Sequence, residues 1–271
     1  MKFPLFKILS LWLVFSSQVF AQKPEPVVLQ VVYKFTHQYD TTDVNRIKVE
    51  NYVLLVGQTS SAYKSFDRVI QDSIAQASYK LTGMMGGAAG LKRTNSDELY
   101  FYFSPEKAYL KTGLLGNYII ERPFNKLQWS ILKETKRIAN LVCQKATASY
   151  MGRKYTAWFD TEYPFKAGPW KLHGLPGLIV SAADETGRIR FELASIRQVK
   201  DLSKSIEWDK SAKSITYEQY QNIAKSFEND PKAAMESMFN VKITTGRPMA
   251  HKNLLIDKNI NFPLEVPPSK K

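Results

Sequence analysis

At 271 residues, with 44% hydrophobic and 23% charged positions, the chain has the balance of a globular protein able to bury a core, which excludes the disordered and fibrous classes. Beyond the N-terminus no apolar run reaches the ~18 residues of a spanning helix, and the single cysteine, Cys143, closes no intramolecular disulfide and has no His cluster beside it for zinc. Multi-pass membrane proteins, disulfide scaffolds and zinc folds are thereby excluded, and a formal charge of +13 leaves a strongly basic protein.

Met1 to Gln22 reads as a secretory leader: Lys2 and Lys7 form a positive start, Ile8 to Phe15 a short apolar core, and Val19-Phe20-Ala21 a small-x-small cleavage site. The expectation is a signal peptide over 1–21 and one domain over 22–271. Loss of Lys2 and Lys7 with the leader lowers the basic excess by two. In an exported protein such a field suits an anionic membrane surface rather than nucleic acid, although basic residues spread through the chain also serve solubility alone.

Val27 to Thr36 alternates Leu29, Val31, Tyr33 and Phe35 with Gln30, Lys34 and Thr36, the pattern of a half-buried strand. Tyr52 to Gly57 reads as a second strand, followed by a Ser-rich turn over Thr59 to Ser61. From Ser65, Phe66, Val69, Ile70, Ile74, Ala77 and Leu81 recur at helical spacing and predict one amphipathic helix stopped by Gly83. Gly83 to Gly90 is too glycine-rich to pack as a helix, and its methionines either touch an apolar ligand or fill a gap.

Strands are expected again over Leu99–Phe103, Tyr118–Glu121, Leu127–Leu132, Ala139–Tyr150, Lys154–Asp160, Gly177–Ala183 and Arg188–Ile196, with turns at Met151-Gly152 and Glu185-Thr186-Gly187. Consecutive hairpins make an antiparallel meander. Thr216-x-x-Gln219 is a capping box for a following helix, and Asp230-Pro231 suits the cap and first position of another through Phe239. The resulting fold class is α+β: a curved antiparallel sheet, open like a half-barrel, partly covered by two or three helices.

The densest signal is Tyr163 to Val180, YPFKAGPWKLHGLPGLIV, where Pro169 and Pro176 each adjoin a glycine and the chain is irregular over Gly168 to Pro176. Its apolar residues serve either as a packing corner or as the lip of a ligand site. On the second reading Tyr155, Trp158, Phe165 and Trp170, with His173 and Leu175, line a groove for an acyl chain, peptide or glycan.

The residues Gly168, Pro169, Gly174, Leu175, Pro176, Gly177, Leu178 and Ile179 resemble the signature of the GLPGLI family, also known as Porph_ging, exported proteins of the Bacteroidetes. The likeness extends to Cys143 to Ala146, Gly152 to Phe159, Gly168 to Lys171, Asp184 to Phe191 and Asn261 to Glu265, whereas Gly83 to Gly90 has no counterpart in the pattern. The resemblance implies a protein of the periplasm or cell envelope working beside outer-membrane transport systems, and no particular reaction.

Catalysis needs a base near a nucleophile, and the histidines are His37, His173 and His251. His173 lies inside the motif loop but has no Gly-x-Ser-x-Gly elbow or adjoining carboxylate. Cys143 sits in a strand-like setting that suits a buried small hydrophobe. Asp160 with Glu162, or Asp184 with Glu185, serve either turns or acid-pair hydrolysis. No phosphate loop, HExxH or EF-hand occurs, so neither metal nor nucleotide cofactor is expected. The reading is a binding or accessory protein for an apolar or amphipathic ligand, a lipid, peptide or transport protein, with an envelope hydrolase using acids or His173 as the alternative.

Overall fold

The computed structural model describes residues 24–43, 45–83, 94–113, 116–240 and 242. The leader at 1–21, the stretch following Gly83, and the segment 261–265 lie outside these residues. In chain order the elements are β1 (Glu25–Pro26), β2 (Leu29–Gln38), β3 (Ile47–Val56), β4 (Ser60–Ser65), α1 (Phe66–Thr82), β5 (Glu98–Phe103), β6 (Glu106–Thr112), β7 (Tyr118–Arg122), β8 (Ser130–Ile138) and β9 (Leu141–Tyr150). They continue with β10 (Arg153–Asp160), β11 (Leu178–Asp184), β12 (Ile189–Gln198), β13 (Ser205–Ile206), β14 (Lys213–Ile215), α2 (Tyr217–Asn229) and α3 (Pro231–Phe239).

The expected α+β class holds in its coarse form: one 12-stranded sheet, not closed into a barrel, with three helices among the described residues. The strand order β14-β7-β6-β5-β4-β3-β2-β12-β11-β10-β9-β8 contains two meanders, β2 to β7 and β8 to β12. They join where β2 pairs with β12, Phe35 opposite Phe191 and Tyr33 opposite Leu193. The sheet is mixed rather than purely antiparallel, because β14 returns from a long connection and lies parallel to β7.

Several short segments depart from the sequence reading, among them β1, β13 and β14, which it did not foresee, and Ala139, which lies in the turn between β8 and β9. Thr59 to Ser61 is not simply a turn: Ser60 to Ser65 forms β4, pairing with both β3 and β5. Serine is a poor strand former, yet here its small side chain suits a covered position. Ser60 and Ser61 are buried, the Ser60 hydroxyl donates to Glu25, and Ser65 Oγ accepts from Arg68 N at 3.1 Å to cap α1. β6 was equally hidden, since Glu106, Lys107 and Lys111 dilute its alternation.

The main core lies on one face of the sheet, where Val31, Tyr33, Tyr52, Leu54, Ala157 and Phe191 meet the motif loop; a smaller cluster of Val27, Ala62, Tyr100, Tyr102 and Ile206 covers part of the other. The helix caps fall where expected. Gly83 N–H donates to the Tyr79 carbonyl at 2.8 Å, Thr216 and Gln219 close a reciprocal capping box, and the Asp230 carboxylate accepts from Ala233 N at 3.0 Å with Pro231 opening α3.

The seating of α1 does not follow its pattern. Asp67 grips Asn51 through its backbone N–H and its side-chain amide at 3.1 and 3.0 Å, and Gln71, Ala75 and Ser78 sit half-buried on the same side. The apolar stripe is thereby turned outward: Ile70, Ile74 and Leu81 are 44%, 58% and 87% exposed, and the helix has no buried residue. No helix among the described residues is long and apolar enough to cross a membrane.

Candidate functional site

The motif loop packs down through its aliphatic residues. Leu172, Leu175, Leu178 and Ile179 are buried in the main core, and Tyr33 Oη donates to the Ile179 carbonyl at 2.6 Å. Backbone bonds from Gly174 N to the Lys166 carbonyl (2.8 Å) and from Leu178 N to the Tyr163 carbonyl (2.9 Å) close the loop on itself. Gly177 lies against the Asp160 backbone, leaving no room for a Cβ, and Gly174 has φ +95° with open space beside it. The hexapeptide is therefore a packing corner in its own right.

Three residues of the same loop, Trp170, Lys171 and His173, line a cavity of about 480 Å³, Trp170 from within the main core; the remaining walls come from β2 to β6, the end of β7, the β9–β10 turn, β12 and α2. Trp170 takes φ +54°, a left-handed conformation costly for a bulky residue. Its indole lies nearly parallel to Phe191, 12° apart with centroids at 6.4 Å, and edge-on to Tyr150 at 5.6 Å.

The floor continues across the strands through aromatic rings, directly opposite for Phe35 and Phe191 and diagonal for Phe35 with Tyr52 and Tyr52 with Tyr63. Phe191 stacks on Phe35 at 5.0 Å, Phe35 meets Tyr52 edge-on at 5.6 Å, and Tyr52 lies 3° from parallel with Tyr63 at 4.9 Å. Tyr52 Oη donates to Glu50 Oε2 at 3.3 Å, whereas Tyr63 Oη is buried without a hydrogen-bond partner among the described residues. Burial raises the hydroxyl pKa of both tyrosines.

One end of the cavity is polar. Asn95 and Asp97 stand beside Tyr220 and Lys171, and burial pushes the Asp97 carboxyl upward although the Thr112 hydroxyl and the Lys48 and Lys171 charges oppose the shift. Just behind them Glu50 is fully buried. Its carboxylate is held by Lys48 Nζ at 2.8 Å and by Asn95 N at 3.0 Å, which satisfies the charge. Toward the β7 end, the Arg122 guanidinium lies over the Tyr217 ring at 3.7 Å.

The other sequence-selected residues fall elsewhere. Tyr155 is wholly buried beneath Trp170, with centroids 6.2 Å apart, Leu175 is in the core, and Phe165 packs partly buried against it. Trp158 has the opposite parity to Tyr155 and Ala157, so it points from the other face of the sheet, where Lys136 and Lys145 lie 4.2 and 5.7 Å from its ring. Tyr52, Tyr63, Asp97 and Arg122 were not singled out from the sequence. The signal available for the tyrosines was their strand parity: Tyr33, Tyr52 and Tyr63 all fall on the core-facing set.

His173, the candidate base, is enclosed by aromatic rings. The imidazole sits among Phe101, Phe124 and Phe103, with centroids at 4.8, 4.8 and 5.8 Å, and burial lowers its pKa to about 4. No carboxylate or hydroxyl of the described residues hydrogen-bonds its ring. Its backbone carbonyl accepts from Trp129 Nε1 at 2.9 Å. The acid pairs do turn chemistry: Asp160 Oδ1 accepts from Glu162 N at 2.7 Å, and Asp184 accepts from Ile189 N at 2.8 Å and from the Thr186 hydroxyl at 2.5 Å. Cys143 is buried and its thiol is pushed up to about 11, an unreactive setting. Among the described residues no three His, Cys, Asp or Glu side chains converge to hold a metal ion.

No protein-family model matches the chain, and no curated protein matches it. Two crystal forms of PNGF-II are similar in structure, with TM-scores of 0.51 and 0.50, each at 12% sequence identity over 72% of this chain and 32% of that one. The chain thus spans about a third of the length of PNGF-II, and at that identity the likeness is one of fold alone.

Proposed function

We propose that the chain is an exported binding protein of the cell envelope, of the GLPGLI kind, whose aromatic cavity captures an amphipathic ligand. The observation that carries this reading is the 480 Å³ cavity itself, walled by rings from separate strands and by Trp170 of the signature loop. Its size is that of small-molecule sites generally, and a bulky residue kept in a left-handed conformation at its wall is the kind of local cost that persists where position matters.

The half-barrel form of the sheet belongs to the same proposal. β6 and β9 are eight strand intervals apart, roughly 38 Å if the sheet were flat, yet Leu110 of β6 and Tyr150 of β9 line one cavity. Curvature toward the motif loop accounts for that convergence. Native mass spectrometry of protein isolated from its own envelope tests the capture: a bound mass is expected on the wild type and on Trp158→Ala, which alters the opposite face. Leu99→Trp, which fills the cavity, is expected to lose at least nine-tenths of it. A wild-type protein recovered without any bound mass would count against the reading.

A second observation favours association with an anionic membrane surface as part of the same function. The stripe of Ile70, Ile74 and Leu81 faces outward on a protein whose formal charge of +13 falls only by two with the leader, combining apolar area with attraction to acidic headgroups. Co-sedimentation with phosphatidylglycerol-containing vesicles is expected for the wild type, with Ile74→Glu reducing the bound fraction several-fold. Equal binding by the two would remove α1 from the proposal.

A further inference from the structure

Resting on the capture reading, we infer that the ligand is an anionic amphiphile, its carboxylate or phosphate head seated on Arg122 and its apolar body laid across the strands beside it. Register sets Arg122 on the inner face of the sheet. It lies opposite Ala108 of β6, which lies opposite Phe101 of β5, and Leu110 with Leu99 forms the next inner row, so a guanidinium stands at one end of an apolar track. Arg122 is half-buried, with its central carbon 3.7 Å over the centroid of the Tyr217 ring, and among the described residues it makes neither a hydrogen bond nor an ion pair. The ring contact leaves its N–H fork open. A carboxylate or phosphate is the group whose oxygen spacing and charge match that fork.

The other charges around the cavity are already matched. Glu50 is held by Lys48 Nζ at 2.8 Å, and Asp97 is bonded to the Thr112 hydroxyl in the field of Lys48 and Lys171. Asp97 also precedes Phe101 by four residues and sits two strands over from Arg122. At flat-sheet spacings that is roughly 16 Å, too far for a counter-ion. His173, its pKa lowered to about 4 by burial, is neutral at physiological pH. The charged side chains of the wall are then Arg122, Lys171 and Asp97, a positive excess on a chain of formal charge +13. An anionic head is drawn to the Arg122 end, a cationic head is repelled, and a neutral one leaves the guanidinium unanswered.

The test uses the full chain, extracted free of any bound mass, and soluble probes that differ in head charge: decanoate, dihexanoylphosphatidylglycerol, decanol and decyltrimethylammonium. Tryptophan fluorescence and calorimetry at neutral pH follow binding to ~1 mM, the range of weak single-site affinity. At least one of the two anions is expected to bind about tenfold or more tightly than decanol and decyltrimethylammonium, the scale of one charge-assisted pair. Arg122→Gln is expected to remove that advantage and leave the decanol response unchanged. Binding of the phospholipid points to a membrane lipid as the source of the head, and binding of decanoate without it to a free fatty acid. The wild-type ranking needs no variant, so a poorly folding Arg122→Gln leaves the test intact.

Decanol or decyltrimethylammonium binding as tightly as the anions overturns the anion assignment while leaving the cavity a binding site. Anion affinity unchanged in a folded Arg122→Gln also overturns it. So does absence of binding by every probe, and if protein from its own envelope carries no bound mass either, the capture reading falls as well.

Discussion

Replacing Gly177 by alanine is expected to destabilise the protein by about 3 kcal/mol, lowering its melting temperature by ~6–12 °C. Gly177 runs against the Asp160 carbonyl and carbonyl carbon, with Thr161 Cα beside them, so an added Cβ strikes backbone rather than a side chain that can rotate away. Neither strand has freedom to yield. Asp160 pairs with Leu178 across β10 and β11, Leu178 is fully buried, and the Asp160 carboxylate caps the following turn at Glu162 N. Gly174→Ala is the informative comparison: it meets no neighbouring atom and disturbs only a backbone at φ +95°, at a cost of about 1 kcal/mol. Thermal denaturation of the two variants side by side checks the argument, and equal melting temperatures would refute it.

The second large effect is a pH dependence centred on His173. The ring is 4% exposed in its phenylalanine enclosure, and burial lowers its folded pKa from 6.5 to about 4, with the Glu106 charge opposing the shift. An unfolded chain takes up this proton as pH falls through 6.5, whereas the folded chain refuses it until about pH 4. The contribution to stability is therefore complete above pH 6.5 and is lost as pH falls from 6.5 toward 4, by on the order of 3 kcal/mol. His173→Phe, which continues the aromatic enclosure without a titrating group, removes that slope. Urea unfolding of wild type and variant at pH 7 and 4.5 measures it, the wild type losing about 2–3 kcal/mol more than the variant. Parallel losses in the two proteins would mean that His173 is not protected from solvent.

Both effects arise in the segment that was most distinctive in the sequence, but its division of labour was not legible there. Tyr155, Trp158, Phe165, Trp170, His173 and Leu175 lie close in the chain, and proximity suggested one surface. The pleat separates them: alternate side chains of β10 leave by opposite faces, so Trp158 reaches Lys136 while Tyr155 goes under Trp170. Within the loop, Trp170 takes a left-handed turn and packs in the same core as Leu172 and Leu175 while also lining the cavity. No periodicity encodes such a turn at a tryptophan.

What the sequence determined by itself was local. Alternation fixed most strands of the two meanders, Met151-Gly152 and Glu185-Thr186-Gly187 marked their turns, and Ser65, Thr216 and Asp230 marked helix starts, because these depend on side-chain period and backbone groups a few residues apart. The tertiary structure alone decided which distant segments meet. The β2–β12 pairing sets Phe35 against Phe191, the parallel return of β14 beside β7 brings α2 to the cavity, and α1 lies on its polar side with its apolar stripe outward. Each of these rests on contacts between residues far apart in the chain, whose free energy depends on the shape of the assembled sheet and leaves no mark in the periodicity of either partner.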